Sequence, residues 1–224
     1  MHGKGAAAMQ TAEVALLRQG CFRLLSRGFA RPRSNNRDAF VQAGVVLDGL
    51  GLDAFAFAPA VWDWLDRFAL ANEATLESEY VRLFDSAADG ALCGPTESQH
   101  LGSVRAGDAA TIAARVESAL RRHGVVVDDG RAPDHVGWQL ELGARLCASE
   151  QACRESGDEA GLTAALRDLD ELTANLERWV PRFHRLLIRH DRTGVYTSLG
   201  AATVAFLTHE GDLVRGAVHG ERAR

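Results

Sequence analysis

The chain has 224 residues, 46% of them apolar and 25% charged, with a net charge of −5. That mix excludes overall disorder, and no run approaches the about 18 apolar residues a membrane-spanning helix needs. A balance of 25 basic against 30 acidic residues argues against a dedicated nucleic-acid binder, whose affinity comes largely from neutralising phosphates.

The apolar pattern is helical from end to end. Residues 11–28 place Val14, Leu17, Cys21, Leu24 and Leu25 on one stripe, and Gly28 and Pro32 are expected to end that helix. A second helix is expected over 38–50. A third starts near Pro59 and carries Val61, Trp62, Leu65 and Phe68, and its continuation over 72–85 carries Leu76, Tyr80, Leu83 and Phe84. Gly90, Gly94 and Pro95 mark residues 86–100 as a loop. Helical spacing returns near Asp108 with Ile112, Val116 and Leu120 and stops at Gly124. Residues 124–133 read as a hinge between an N-terminal lobe, 1–123, and a C-terminal lobe, 134–224. A helix then runs to about Glu155, followed by an apolar seam from Leu162 to Val180. Pro181 is expected to interrupt that seam and start a new helix. A last helix holds Val195, Leu199, Ala202 and Phe206, with a frayed polar tail after Gly211. The fold class is all-α, a bundle of about nine to eleven helices in two loosely defined lobes. The N-terminal residues lack the apolar core of a secretory signal, so a cytoplasmic location is expected.

Several motifs invite a chemical reading. Gly49-Leu-Gly-Leu-Asp-Ala54 fits a loose dinucleotide pattern, but its helical surroundings favour a helix end and a turn. Glu97-x-x-His100 has the spacing of di-iron bundles, which need the motif twice, and no second copy exists; no metal site is expected. The four cysteines, Cys21, Cys93, Cys147 and Cys153, form no Cys-x-x-Cys and read as reduced thiols. Asp134-His135 begins a helix, where an Asp caps free N–H groups; the sharper alternative is an acid–base pair. Residues 18–37 hold six Arg and no acid, and Arg178, Arg182, Arg185, Arg189 and Arg192 recur at helical spacing. Both sets read first as solvated faces, with anion binding as the alternative. Trp62 and Trp64 lie two apart and cannot share a helix face, so one packs inward; the other is either exposed for peptide docking or packed between helices as well.

Three segments together resemble the TorD/DmsD/NarJ family of redox-enzyme maturation chaperones. They are Glu79-Tyr-Val-Arg-Leu-Phe84 with Gly94-Pro-Thr-Glu-Ser98, then Pro133-Asp-His-Val-Gly-Trp-Gln-Leu-Glu-Leu142, then Leu176-Glu-Arg-Trp-Val-Pro-Arg-Phe183. Gly94, Thr96, His100 and Gln139 depart from the family pattern. The resemblance covers about residues 11–210 as one family-level domain. It implies an all-helical, non-catalytic cytoplasmic protein. Such a protein binds the apo catalytic subunit of a dimethyl sulfoxide reductase-type molybdoenzyme, with its twin-arginine signal peptide, and assists molybdenum cofactor insertion before export. It implies no resident cofactor, weak guanine-nucleotide or molybdopterin guanine dinucleotide contact in some members, and a monomer or a hinge-swapped dimer. A receptor for an arginine pair followed by an apolar stretch needs carboxylates beside an apolar groove. Asp134, with Asp128 and Asp129 nearby, is the expected source of the first; Trp62, Leu65, Tyr80 and Phe84 are expected to line the second. His135 is expected to contact the peptide or orient Asp134, and Glu97 and Ser98 to order the loop. The rival reading is a small-molecule hydrolase using an Asp134/His135 dyad in an interlobe cleft. A helical DNA-binding regulator is a third, without a convincing helix-turn-helix.

Overall fold

The structure, a computed structural model, describes residues 2–33, 36–85, 91–102, 108–127 and 130–222. Nine α-helices lie among them: α1 His2–Gly28, α2 Asn36–Gly49, α3 Ala58–Leu70, α4 Glu73–Tyr80, α5 Glu97–Leu101, α6 Asp108–Arg122, α7 Val136–Ser156, α8 Glu159–His190 and α9 Val195–Arg222. A 3-10 turn over Leu52–Ala54 follows α2, and a π-helical turn over Val81–Asp85 extends α4. One isolated bridge, between Thr96 and His135, is the β-type pairing present among the described residues. The fold is all-α.

Local chemistry sets the helix ends. Asn72 caps α4 by accepting from the Thr75 N–H at 3.3 Å, and Asp158 caps α8 by accepting from Gly161 N–H at 2.9 Å. Gly157, at φ +71°, closes α7 in the left-handed region that favours glycine. Asp191 joins α8 to α9 by accepting from the Thr193 and Thr197 N–H groups at 2.8 and 2.7 Å.

Helices α1, α3, α7, α8 and α9 pack around one apolar core drawn from both sides of residues 124–133: α1 runs along α7, and α3 and α8 along α9. Phe22 of α1 meets Phe206 of α9 edge-on at 4.8 Å, and Phe29 meets Phe183 of α8 at 5.6 Å. Gly143 of α7 lets the Phe22 ring close in, since a Cβ there would stand 2.4 Å from it. Trp64, not Trp62, is the fully buried indole of α3.

Three expectations need correction. Pro181 does not break the seam: α8 continues through it to His190. Its lost hydrogen bond is offset by burial of Trp179, Val180 and Phe183 around it, each worth about 1.5–3 kcal/mol. The chain after Gly211 does not fray at once; α9 runs to Arg222, because Val214 is buried and Glu210 is locked inside. The stretch read as a loop over 86–100 contains the start of the short helix α5, and residues 86–90 lie outside the described residues.

The Arg-rich stretch is also not one solvated face. Arg18 is buried between Glu150 of α7 and Glu210 of α9, with N–O distances of 2.7 and 2.6 Å. Arg154 reaches the other oxygen of Glu150 at 3.0 Å, so the cluster is charge-balanced. By contrast Arg178, Arg182, Arg185, Arg189 and Arg192 are exposed.

Candidate functional site

The segment 94–101 is tied to the start of α7 by backbone and side chain together. Val136 N–H donates to Pro95 C=O at 2.8 Å, and Glu97 N–H to Asp134 C=O at 3.1 Å. The Asp134 carboxylate accepts from Ser98 N–H at 2.8 Å, capping α5 from outside that helix. Gln139 donates to Asp134 C=O at 3.0 Å. Glu97 is buried and accepts from Arg115 of α6 and, at 2.7 Å, from Asn175 of α8. The His100 ring stacks on Trp179 at 5.4 Å, and its Nε2 lies 2.8 Å from Gly94 O. Glu97 and His100 thus serve protein partners, and no group of three or more His, Cys, Asp or Glu able to hold a metal occurs among the described residues.

His135 caps α7: its Nδ1 accepts from Gly137 N–H at 2.9 Å. Burial, together with the nearby Arg131 charge, pushes its pKa from 6.5 to about 3, so the ring is neutral at physiological pH. An imidazole whose Nδ1 accepts from the backbone cannot donate that nitrogen's proton to a carboxylate. The Asp134 carboxylate is hydrogen-bonded to Ser98 N–H. The two residues therefore do not form the relay the hydrolase reading requires.

Beside this knot lies a cavity of about 1180 Å³, bounded by α1, α2, Tyr80, Phe84, Pro95 and residues 130–135. Its floor is apolar, with Leu24, Phe40, Leu47, Tyr80 and Phe84, and Leu16 and Val46 stand exposed at its mouth. Tyr80 donates to Phe29 C=O at 3.4 Å, and Phe84 packs against Tyr80 at 5.0 Å and Tyr196 at 5.2 Å, so both rings are held as wall. The neighbouring Glu79 and Arg82 point elsewhere: Arg82 pairs with Glu79 at 2.5 Å and donates to His190 C=O, which fastens α4 to the end of α8.

The expected site residues separate into three groups. Tyr80, Phe84 and His135 line the cavity. Asp134, Glu97 and Ser98 form the knot at its rim, and Asp134 and Glu97 are buried. Asp134 is therefore not presented as a free carboxylate for an incoming arginine, because its oxygen already serves a helix N-terminus. Asp128 and Asp129 lie outside the described residues. Trp62 and Leu65 do not line the cavity; they are half-buried against α2 at Gly44, and Trp62 Nε1 donates to Asp53 at 2.6 Å. The residues that sequence reasoning did not assign to the site are Arg23, Arg27, Arg31, Arg33 and Arg131 on its walls. For all but Arg131 the signal is the six arginines without an acid over 18–37, a stretch that reads first as a solvated face with anion binding as the alternative.

The profile of the nitrate reductase delta subunit family matches residues 52–185, more than half of the chain. The chain belongs to this family, that of the TorD/DmsD/NarJ-type redox-enzyme maturation chaperones. Among solved structures, a candidate redox enzyme maturation protein from Archaeoglobus fulgidus shares the fold, with a TM-score of 0.51 at 18% identity over 85% of this chain and 93% of that one. No curated protein gives a significant sequence match. The family's segments map onto the structure as joints. Glu79 and Arg82 fasten α4 to α8, Glu97 and Asp134 fasten α5 to α7, and Trp179 of α8 carries the His100 ring. No helix among the described residues is long and apolar enough to cross a membrane.

Proposed function

We propose that this chaperone holds the apo catalytic subunit of a dimethyl sulfoxide reductase-type molybdoenzyme until its molybdenum cofactor is inserted. The apolar face of a helix of that subunit docks in the cavity between α1 and α2. Family membership supports the partner class. The observation that carries the docking mode is the cavity itself: about 1180 Å³, floored by side chains of Leu24, Phe40, Leu47, Tyr80 and Phe84 and open at Leu16 and Val46. The floor side chains are buried in the core, and Leu16 and Val46 are the exposed apolar surface that a docked partner would cover. The mechanism is binding and shielding. The cavity does not suit the arginine pair of a twin-arginine leader, because its walls are themselves cationic.

The test is capture. Tagged protein is expected to bring down one redox-enzyme catalytic subunit from its source cell. The L16E/V46E variant changes only exposed mouth positions and is expected to lose that capture with unchanged helicity. Undiminished capture by the variant would remove the cavity from the mechanism.

A further inference from the structure

The charge on the cavity wall says more about its occupant. Among the described residues, Arg23, Arg27, Arg31, Arg33 and Arg131 line it, against one lining carboxylate, Asp85. Arg31 is paired with Glu77 at 2.9 Å, an exposed pair worth little. Arg131 lies over the Trp138 ring at 4.4 Å. Arg23, Arg27 and Arg33 are exposed and form no ion pair among the described residues. Arg23 and Arg27 stand one turn apart on α1, an arrangement of like charges that disfavours the helix slightly. Their own helix also supplies Leu24 to the floor, so apolar floor and cationic edge are parts of one surface.

We propose that the occupant is an amphipathic helix of the partner subunit with carboxylates along one edge. Its apolar side lies on Leu16, Ala43 and Val46, the accessible apolar lining, and its Asp or Glu side chains pair with Arg23, Arg27 and Arg33. The volume suits this: about 1180 Å³ holds roughly two to three turns of a helix about 10 Å across, at about 5.4 Å per turn. Guanidinium groups grip carboxylates through paired N–H donors, which fixes the register as well as the sign. A mononucleotide would engage the arginines but leave the apolar lining uncovered. A cationic segment would meet the like charges of Arg23, Arg27 and Arg33. The inference rests on the chaperone reading only for the partner being a redox-enzyme subunit; the charge preference belongs to the cavity.

Two labelled helical peptides of about 14 residues, roughly four turns, serve as probes. They share a Leu/Ala face, and one carries Glu and the other Lys along the polar edge. Binding to the full chain is followed by fluorescence anisotropy. The Glu peptide is expected to bind at least about tenfold tighter, equivalent to about 1.4 kcal/mol, with the gap narrowing as salt rises. R23E/R27E/R33E is expected to reverse the preference. If that variant loses helicity, R23Q/R27Q replaces it and is expected to cut the Glu preference at least about threefold, as loss of two exposed charge contacts allows. Equal affinities, a Lys preference, no binding of either peptide, or a preference untouched by the substitutions each overturns the proposal. So does displacement of the Glu peptide by micromolar GTP, which would make the arginines a phosphate site. Should the preference hold while no redox-enzyme subunit is captured, the chaperone reading fails and the cavity's selectivity stands.

Discussion

His135 shows how one buried ring links sequence to pH. Its folded pKa, about 3, lies below the ordinary 6.5, because burial and Arg131 disfavour the charged form. The unfolded chain therefore binds the proton first as pH falls. The stability tied to His135 is complete above about pH 6.5 and is lost as pH falls toward about 3. Asn keeps a cap acceptor for Gly137 N–H without titrating. H135N is expected to lose less Tm than the wild type between about pH 6.5 and 4.5 in calorimetry. A residual slope comes from His100 and His184, also pushed down by burial. The same slope in both proteins would contradict the assignment. The thiols make a second residue-scale case. Cys21, Cys93 and Cys147 are buried, and burial raises all three, Cys93 to about 11. Ellman titration of the folded protein is expected to find one fast thiol, Cys153, with the other three reacting only after denaturation.

At the scale of elements, three helices are pinned by one arginine. Arg18 of α1 is shared by Glu150 of α7 and Glu210 of α9, and Glu210 is fully buried. Removing the cation leaves two carboxylates without it in a dry setting. R18M is expected to cost about 3–5 kcal/mol, or roughly 6–20 °C in Tm for a chain of this size. R18M/E210Q is expected to recover part of that loss, because the buried charge goes with its partner. No recovery in thermal melts would show that Arg18 acts through packing alone. Pro181 teaches a different lesson. A proline inside an amphipathic stretch reads as a stop, yet the apolar stripe on both sides of it keeps α8 whole.

For the whole molecule, the question is whether the halves on either side of residues 124–133 stand alone. Helix α1 runs along α7 and α3 along α9, so each half leaves its apolar faces bare without the other. Fragments 1–123 and 134–224 are each expected to lack cooperative unfolding by circular dichroism, and to regain it when mixed. A cooperative melt of either fragment alone would make the halves independent domains. The same crossing contacts are what a hinge-swapped dimer would re-form between two copies.

The helical class, most helix positions and the family were legible in the residue pattern, because apolar spacing and cap residues act over a few positions along the chain. Leu162 to Val180 announce their helix without help from elsewhere. The division of labour among the polar residues was not legible. Asp134 looked like a group for a ligand and is spent on Ser98, while Glu97, expected to order its loop, draws Arg115 and Asn175 to it from two other helices. The Arg-rich segment looked uniform, yet Arg18 went inside and Arg23, Arg27 and Arg33 went to the wall of a cavity. Sequence by itself determined which segments coil and which faces seek burial. Tertiary structure alone decided which charges are satisfied and which are left to meet a partner. The reason is distance along the chain: Arg18 finds Glu210 across 192 positions, and only the packed helices bring them together.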